Sequence, residues 1–258
     1  MTNATPSDTG VLLCGHGSRD PQAAVEFIRV VGGLRRHLPE QDVDYGYLEL
    51  AEPSIPTALA SMYARGCRKI SVLPGMLFAA AHVKEDIPEI LEDFRKSHPD
   101  VEITFARELG VSENLIHAAA EKLELALSDA EKSAMVPAGQ TALLVVGRGS
   151  NDVAALQDLE NITARLQSAS SLPHARTCYA NVATPIMEDV LAEVLQQDYR
   201  RIIFLPWFLF TGVLMQRLYG AFRAAAKTHP TVDFIEIDYF RDHPMVVKTF
   251  AERFHELS

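Results

Sequence analysis

Val11-Leu12-Leu13-Cys14-Gly15-His16-Gly17-Ser18-Arg19-Asp20 decides how the chain folds. Four apolar residues in a row, closed by a glycine, describe a strand buried on both faces, as in a parallel sheet covered by helices. Gly-His-Gly then presents an imidazole at the carboxyl end of that strand, where glycine leaves the backbone room to turn. The pattern returns 132 residues later as Leu143-Leu144-Val145-Val146-Gly147-Arg148-Gly149-Ser150-Asn151-Asp152. The glycines, the serine and the aspartate are kept, but the histidine becomes an arginine.

Working outward from the first strand, Asp20-Pro21 supplies a helix start. Val25, Ile28, Val31 and Leu34 recur at helical spacing and predict a helix over 21–37. A strand over 43–50, a helix over 53–63 and a strand over 69–73 running into Pro74-Gly75 follow. A helix over 82–96, a strand over 101–105 and a helix over 112–127 complete four βα units, which predicts an open parallel sheet with helices on both faces. The second half repeats the scheme in register. Pro53 answers to Pro185, Arg68-Lys69-Ile70 to Arg200-Arg201-Ile202, and Leu73-Pro74 to Leu205-Pro206. Leu77-Phe78 answers to Leu209-Phe210 and, after one deletion, His98-Pro99 to His229-Pro230. Register held so long means internal duplication. The expectation is two flavodoxin-like α/β domains, 1–127 and 141–258, joined by an Ala-, Ser-, Pro- and Gly-rich linker over 128–140 and facing one another across a cleft.

Composition excludes several classes of function. A hydrophobic fraction of 48% with 22% charged residues describes a globular protein. No apolar run approaches the roughly 20 residues that span a bilayer. Residues 1–10 lack a basic stretch followed by an apolar one, so no secretory signal is expected and the protein is read as cytoplasmic. Cys14, Cys67 and Cys178 make no CxxC pair, which suits buried thiols in a reducing compartment. A formal charge of −10 without a basic stripe argues against nucleic acid. No glycine is followed by lysine, so there is no Walker loop and no ATP is expected. Gly15-x-Gly17 lacks the third glycine of a dinucleotide fingerprint, and no Gly-x-Ser-x-Gly elbow occurs.

Three polar residues of the first half have no counterpart in the second: His16 is replaced by Arg148, Glu49 by Asn181, and His82 by Leu214. In doubly wound sheets ligands bind beyond the carboxyl ends of the strands, at the switch in strand order. His16 follows strand one, Glu49 closes strand two and His82 lies shortly after strand three. All three converge if strands one and three flank the switch. Two imidazoles and a carboxylate suit a divalent transition metal, or a general base beside one. Against this stands the ordinary reading of histidine as a surface or helix-end residue, which accounts for His98 and His229. The loops that follow strands three and seven stay apolar. Met76, Phe208 and Phe210 in them either line a cleft for a flat apolar ligand or pack one domain on the other. Arg19, Lys84, Arg148 and Arg217 lie near these loops, as partners for substrate carboxylates or as solvated charges.

The stretches GHGSRDPQA, YLELAEPSIPTAL, LPGMLFAAAHVKEDIP, VVGRGSND and RRIIFLPWFLFTGVL make the chain closely similar to the sirohydrochlorin chelatases of the class II chelatase superfamily. It resembles their long two-domain cobaltochelatase form, not the short form that dimerises. The resemblance implies ATP-independent insertion of a divalent metal into sirohydrochlorin: Co²⁺ on the way to cobalamin, with Fe²⁺ for sirohaem or Ni²⁺ as other substrates. It places the catalytic residues on His16, His82 and Glu49, the metal on His16 and His82, and no permanent cofactor. Substrate contacts are expected from Ser18, Arg19, Met76, Leu77, Arg148, Phe208, Phe210, Thr211, Gly212 and Val213, in a monomer. The chain ends without the histidine-rich tail or cysteine motif of some long relatives. Two rivals stand beside this. A phosphohistidine phosphatase needs arginine immediately before the histidine, where this chain has Gly15. A non-catalytic tetrapyrrole carrier would bind without turnover.

Overall fold

The computed structural model describes residues 8–132 and 135–257. Its organising strand is β1 (Thr9–Gly15), in which Val11, Leu12, Leu13 and Cys14 have no exposed surface. β1 pairs in parallel with β2 (Asp42–Tyr47) on one side and β3 (Lys69–Pro74) on the other, and β4 (Glu102–Phe105) lies outside β3. The resulting order, β2-β1-β3-β4, puts the switch point between β1 and β3, as in flavodoxin-like sheets. The helices α1 (Pro21–His37), α2 (Ile55–Ala64) and α3 (Ile87–Ser97) connect these strands. α4 (Glu113–Glu131) then leads to a second sheet. This has β5 (Thr141–Gly147), β6 (His174–Tyr179), β7 (Arg201–Pro206) and β8 (Asp233–Glu236) in the same order, β6-β5-β7-β8. Its helices are α5 (Val153–Ser170), α6 (Met187–Leu195) and α7 (Val213–Thr228), and α8 (Pro244–His255) closes the described chain. The duplicated parallel fold is therefore present.

The compact units divide differently from the expected 1–127 and 141–258. One runs as far as Gly110 and takes in the chain from Arg241 onward; the other is Val111–Phe240. Thus α4, read as the last helix of the first domain, packs within the second unit, where Lys122 donates to the carbonyls of Asp238 and Tyr239 and Glu113 pairs with Arg165. α8, expected in the second domain, packs within the first unit. Gly33 of α1 admits Val247 so closely that a Cβ there would lie 2.6 Å from it. Arg253, 3% exposed, donates to the carbonyls of Glu108 and Leu109 and reaches Glu256 at 2.7 Å. The expected linker is helical as far as Glu131 and ends in a 3₁₀ turn over Ala138–Gln140; Ser133 and Ala134 within it lie outside the described residues, as does most of the stretch read for a secretory signal.

Other boundaries moved for local reasons. The second strand stops at Tyr47, not at 50, because Leu50 takes a left-handed φ of 62° that no strand accommodates. The second helix starts at Ile55, where Ser54 accepts from the Thr57 N–H as its cap. His98 and His229 sit at helix ends as expected: each ring nitrogen bonds a carbonyl of the preceding turn, and His98 stacks on Phe94 at 4.1 Å. Among the described residues no helix is long and apolar enough to cross a membrane.

Two predictions test this packing. Arg253→Ala leaves two inward carbonyls without their donor and should destabilise the first unit by about 3 kcal/mol in urea unfolding, although residue 253 belongs to the second sequence repeat. The three free thiols are buried, and burial pushes Cys67 up to about 11, Cys178 up to about 12 and Cys14 higher still. Ellman's reagent at pH 8 should therefore find no thiol in the native protein and all three after denaturation.

Candidate active site

The site is built on backbone before side chains. Beyond the ends of β1 and β2 the pairing continues: Leu48 N–H donates to Gly15 O at 2.8 Å and Glu49 N–H to His16 O at 3.0 Å. The next residue, Gly17, has φ +93°, and a Cβ on it would lie 1.7 Å from the carbonyl oxygen of Glu49. Only glycine fits here, and its closeness holds the glutamate loop against the histidine loop. Asp20 caps α1 by accepting from Gln22 N–H, and Ser18 Oγ accepts from Asp20 N–H. That turn accounts for Ser18 in the sequence.

On this frame His16 Nε2 faces Glu49 Oε1 at 3.5 Å, while its Nδ1 lies 3.1 Å from Gly17 O. A carbonyl can only accept, so Nδ1 carries hydrogen and a neutral ring turns the Nε2 lone pair toward the carboxylate. With the ring neutral, two acceptors face each other and a proton or a divalent cation fits between them; with the ring protonated, Nε2–H donates to Glu49 as an ion pair. His82 approaches from a different element. It opens a five-residue π turn, His82–Asp86, in which Ile87 N–H reaches back to His82 O. Pro88 has no N–H for the carbonyl of Lys84, and the wide turn absorbs that missing helical bond. The His16 and His82 rings meet edge to face with centroids 4.8 Å apart. His82 Nδ1 lies 2.6 Å from Asp86 Oδ2. Beside them an open cleft of about 430 Å³ is lined by Leu48, Glu49, His82, Asp86, Glu89 and Ile90. The two imidazoles keep 29% and 35% of their side-chain surface, enough for a ligand to reach them. Among the described residues no group of three or more His, Cys, Asp or Glu side chains is placed to hold a metal ion.

The second unit repeats the frame with other side chains. Ala180 N–H donates to Gly147 O and Asn181 N–H to Arg148 O, Gly149 has φ +91°, and Val182 matches Leu50 at φ 66°. A Cβ on Gly149 would meet Asn181 O at 1.9 Å, and Ser150 and Asp152 repeat the turn and cap. Arg148 is exposed there, and Arg217 donates to Ala180 O beside Glu188.

The structure thus brings His16, Glu49 and His82 together; Arg19 is exposed close by in sequence. Met76 and Phe208 lie on the loops that follow β3 and β7. Each is half-buried against the core of its own unit, because the loops after β3 and β7 continue the sheet's hydrogen bonding through Gly75 N–H to Cys14 O and Trp207 N–H to Val146 O. Leu77, Phe210, Thr211 and Gly212 are also half-buried, and Val213 is exposed at the start of α7. Sequence reading passed over Asp86, although its i,i+4 spacing from His82 was a usable signal.

A duplicated, flavodoxin-ordered α/β protein with paired imidazoles and a carboxylate at one switch point has the architecture of a chelatase. The chain belongs to the CbiX family, whose model matches residues 10–126 and again 142–257. It is 31% identical over 249 residues to a sirohydrochlorin cobaltochelatase of Priestia megaterium, covering 95% of this chain and 79% of that one. It is 30% identical over 208 residues to a sirohydrochlorin ferrochelatase of the same organism, covering 81% and 76%. The solved structure of SirB from Bacillus subtilis with Fe³⁺ superposes with a TM-score of 0.82 at 28% identity, covering 96% of this chain and 95% of that one.

The frame carries its own test. Gly17→Ala should cost about 2–3 kcal/mol in urea unfolding, from the disallowed φ and the displaced Glu49 carbonyl. Gly139→Ala, whose added Cβ meets nothing within 4 Å, should stay within about 0.5 kcal/mol of wild type.

Proposed function

We propose that this chain inserts a divalent metal ion into sirohydrochlorin without ATP, and that Co²⁺ is the ion inserted. The carrying observation is the convergence of His16, Glu49 and His82 at the switch point, with the His16 Nε2 lone pair turned toward Glu49 Oε1 at 3.5 Å. The reaction releases two pyrrole protons as one ion takes four ring nitrogens, so the site needs proton acceptors and loosely held ligands. Imidazole nitrogen binds Co²⁺, Fe²⁺ and Ni²⁺, yet two imidazoles outside a closed cage can yield them to a macrocycle. His16 and His82 hold the incoming ion; Glu49 accepts one proton released from the ring, and an imidazole freed as the ion passes to the ring nitrogens accepts the other. Arg19, exposed and three residues from His16, is a partner for a substrate carboxylate. The duplication supplies two units in one chain, which supports action as a monomer.

Iron is the second reading. The relatives named cobaltochelatase and ferrochelatase are 31% and 30% identical to this chain, so similarity does not choose between the ions. Two imidazoles and a carboxylate discriminate poorly between neighbouring divalent ions, and supply then weighs on the choice.

Anaerobic incubation with sirohydrochlorin and Co²⁺, Fe²⁺ or Ni²⁺, followed by absorbance, should show metallation above the uncatalysed rate and fastest with Co²⁺. His16→Ala and His82→Ala should each slow it by about 100-fold or more. Wild-type rates in both variants would remove the assignment, fastest turnover of Fe²⁺ would move the protein to sirohaem synthesis, and binding without turnover would make it a carrier.

A further inference from the structure

We infer that Asp86 is a positioning residue, whose carboxylate holds His82 with its hydrogen on Nδ1 and its lone pair on Nε2. The inference rests on the proposed role of His82 and adds what makes that ring competent. A carboxylate offers only acceptors, so across the 2.6 Å separation it is Nδ1 that donates. A charge-assisted bond that short fixes the plane of the ring as well as its tautomer. Free imidazole side chains in water favour hydrogen on Nε2, the opposite arrangement, which would point a donor where a metal or a leaving proton must be received.

The π turn is anchored in the core beside this pair. Val83 and Ile87 stand one position along from His82 and Asp86, and they are 7% and 0% exposed, with Ile87 in the core of the first unit. One i,i+4 pair therefore anchors the turn, and the adjacent pair stands at the rim of the cleft. At that rim His82 and Asp86 keep 35% and 47% of their side-chain surface, so the carboxylate is held there without full desolvation. His16 has its Nδ1 fixed in the same sense by a different acceptor, the carbonyl of Gly17. Both rings thus carry hydrogen on Nδ1, and in its neutral form each leaves Nε2 to accept. A carboxylate behind a ligating histidine is a recurrent way to orient the ring and raise its basicity. The corresponding position in the second unit is Leu218, fully buried, where Leu214 has replaced the histidine.

The test uses the full-length, metal-free protein with ¹⁵N-labelled histidine, read by long-range ¹H–¹⁵N correlation. His82 should show a protonated Nδ1 and a lone-pair Nε2 in wild type. Asp86→Ala should shift it toward hydrogen on Nε2 and lower kcat for Co²⁺ insertion by about 10- to 100-fold, with KM for sirohydrochlorin changed less than about 2-fold. Asp86→Glu, which keeps a carboxylate, should recover part of both. A wild-type His82 with hydrogen on Nε2, or an Asp86→Ala protein with unchanged tautomer and kcat, overturns the inference. The wild-type spectrum decides the tautomer even if Asp86→Ala fails to fold. Wild-type protein that metallates nothing overturns the proposed function instead, while the spectrum still reports on Asp86.

Discussion

Two backbone hydrogen bonds beyond the ends of the strands hold the site together. Leu48 N–H to Gly15 O and Glu49 N–H to His16 O prolong the β1–β2 ladder into what would otherwise be two independent loops. Backbone groups at a sheet edge must find partners, and here they find each other. The glutamate is thereby placed by the same ladder that places the histidine. Gly17 completes the arrangement, since no other residue lets the two loops close to that distance. Side-chain chemistry is then a matter of what is mounted on the frame, and the second unit mounts Arg148, Asn181 and Leu214 on a nearly identical one.

That division explains what could be read from the sequence. The central strands were legible because burial on both faces leaves a run of consecutive apolar residues. The repeat was legible because its turn residues, Gly17, Ser18 and Asp20 against Gly149, Ser150 and Asp152, answer to backbone geometry and not to function. Glu49 and the two histidines then stood out as the places where a retained frame carries different side chains. The strand through Tyr47-Leu48-Glu49-Leu50 was read too long because its apolar–polar alternation continues where the φ of Leu50 does not. The loops after β3 and β7 stay apolar because Met76 and Phe208 in them are half-buried, each packed partly against the core of its own unit.

The destination of α4 and α8 was not legible at all. Each is amphipathic, and periodicity tells which face of a helix is buried without telling which core receives it. Leu115, Ile116 and Leu123 of α4 are as apolar as Val246, Val247 and Phe250 of α8. The signals that separate them are a small residue and a cation. Gly33 makes room for Val247, and Arg253 finds the carbonyls of Glu108 and Leu109. Such pairings join residues far apart in the chain, and nothing local announces them.

The placement of these two helices means that the unit of inheritance and the unit of folding differ. The duplicated segments end at α4 and α8, but each compact unit is finished by the helix its own segment does not own. A single copy, severed between the repeats, would carry α4 away from the core that buries it and leave β1–β4 without the cover of α8. Two such copies could satisfy one another only by lending helices reciprocally. In one polypeptide that exchange is built into the chain. His16 and Arg148 could then diverge on matching frames without either repeat having to fold alone.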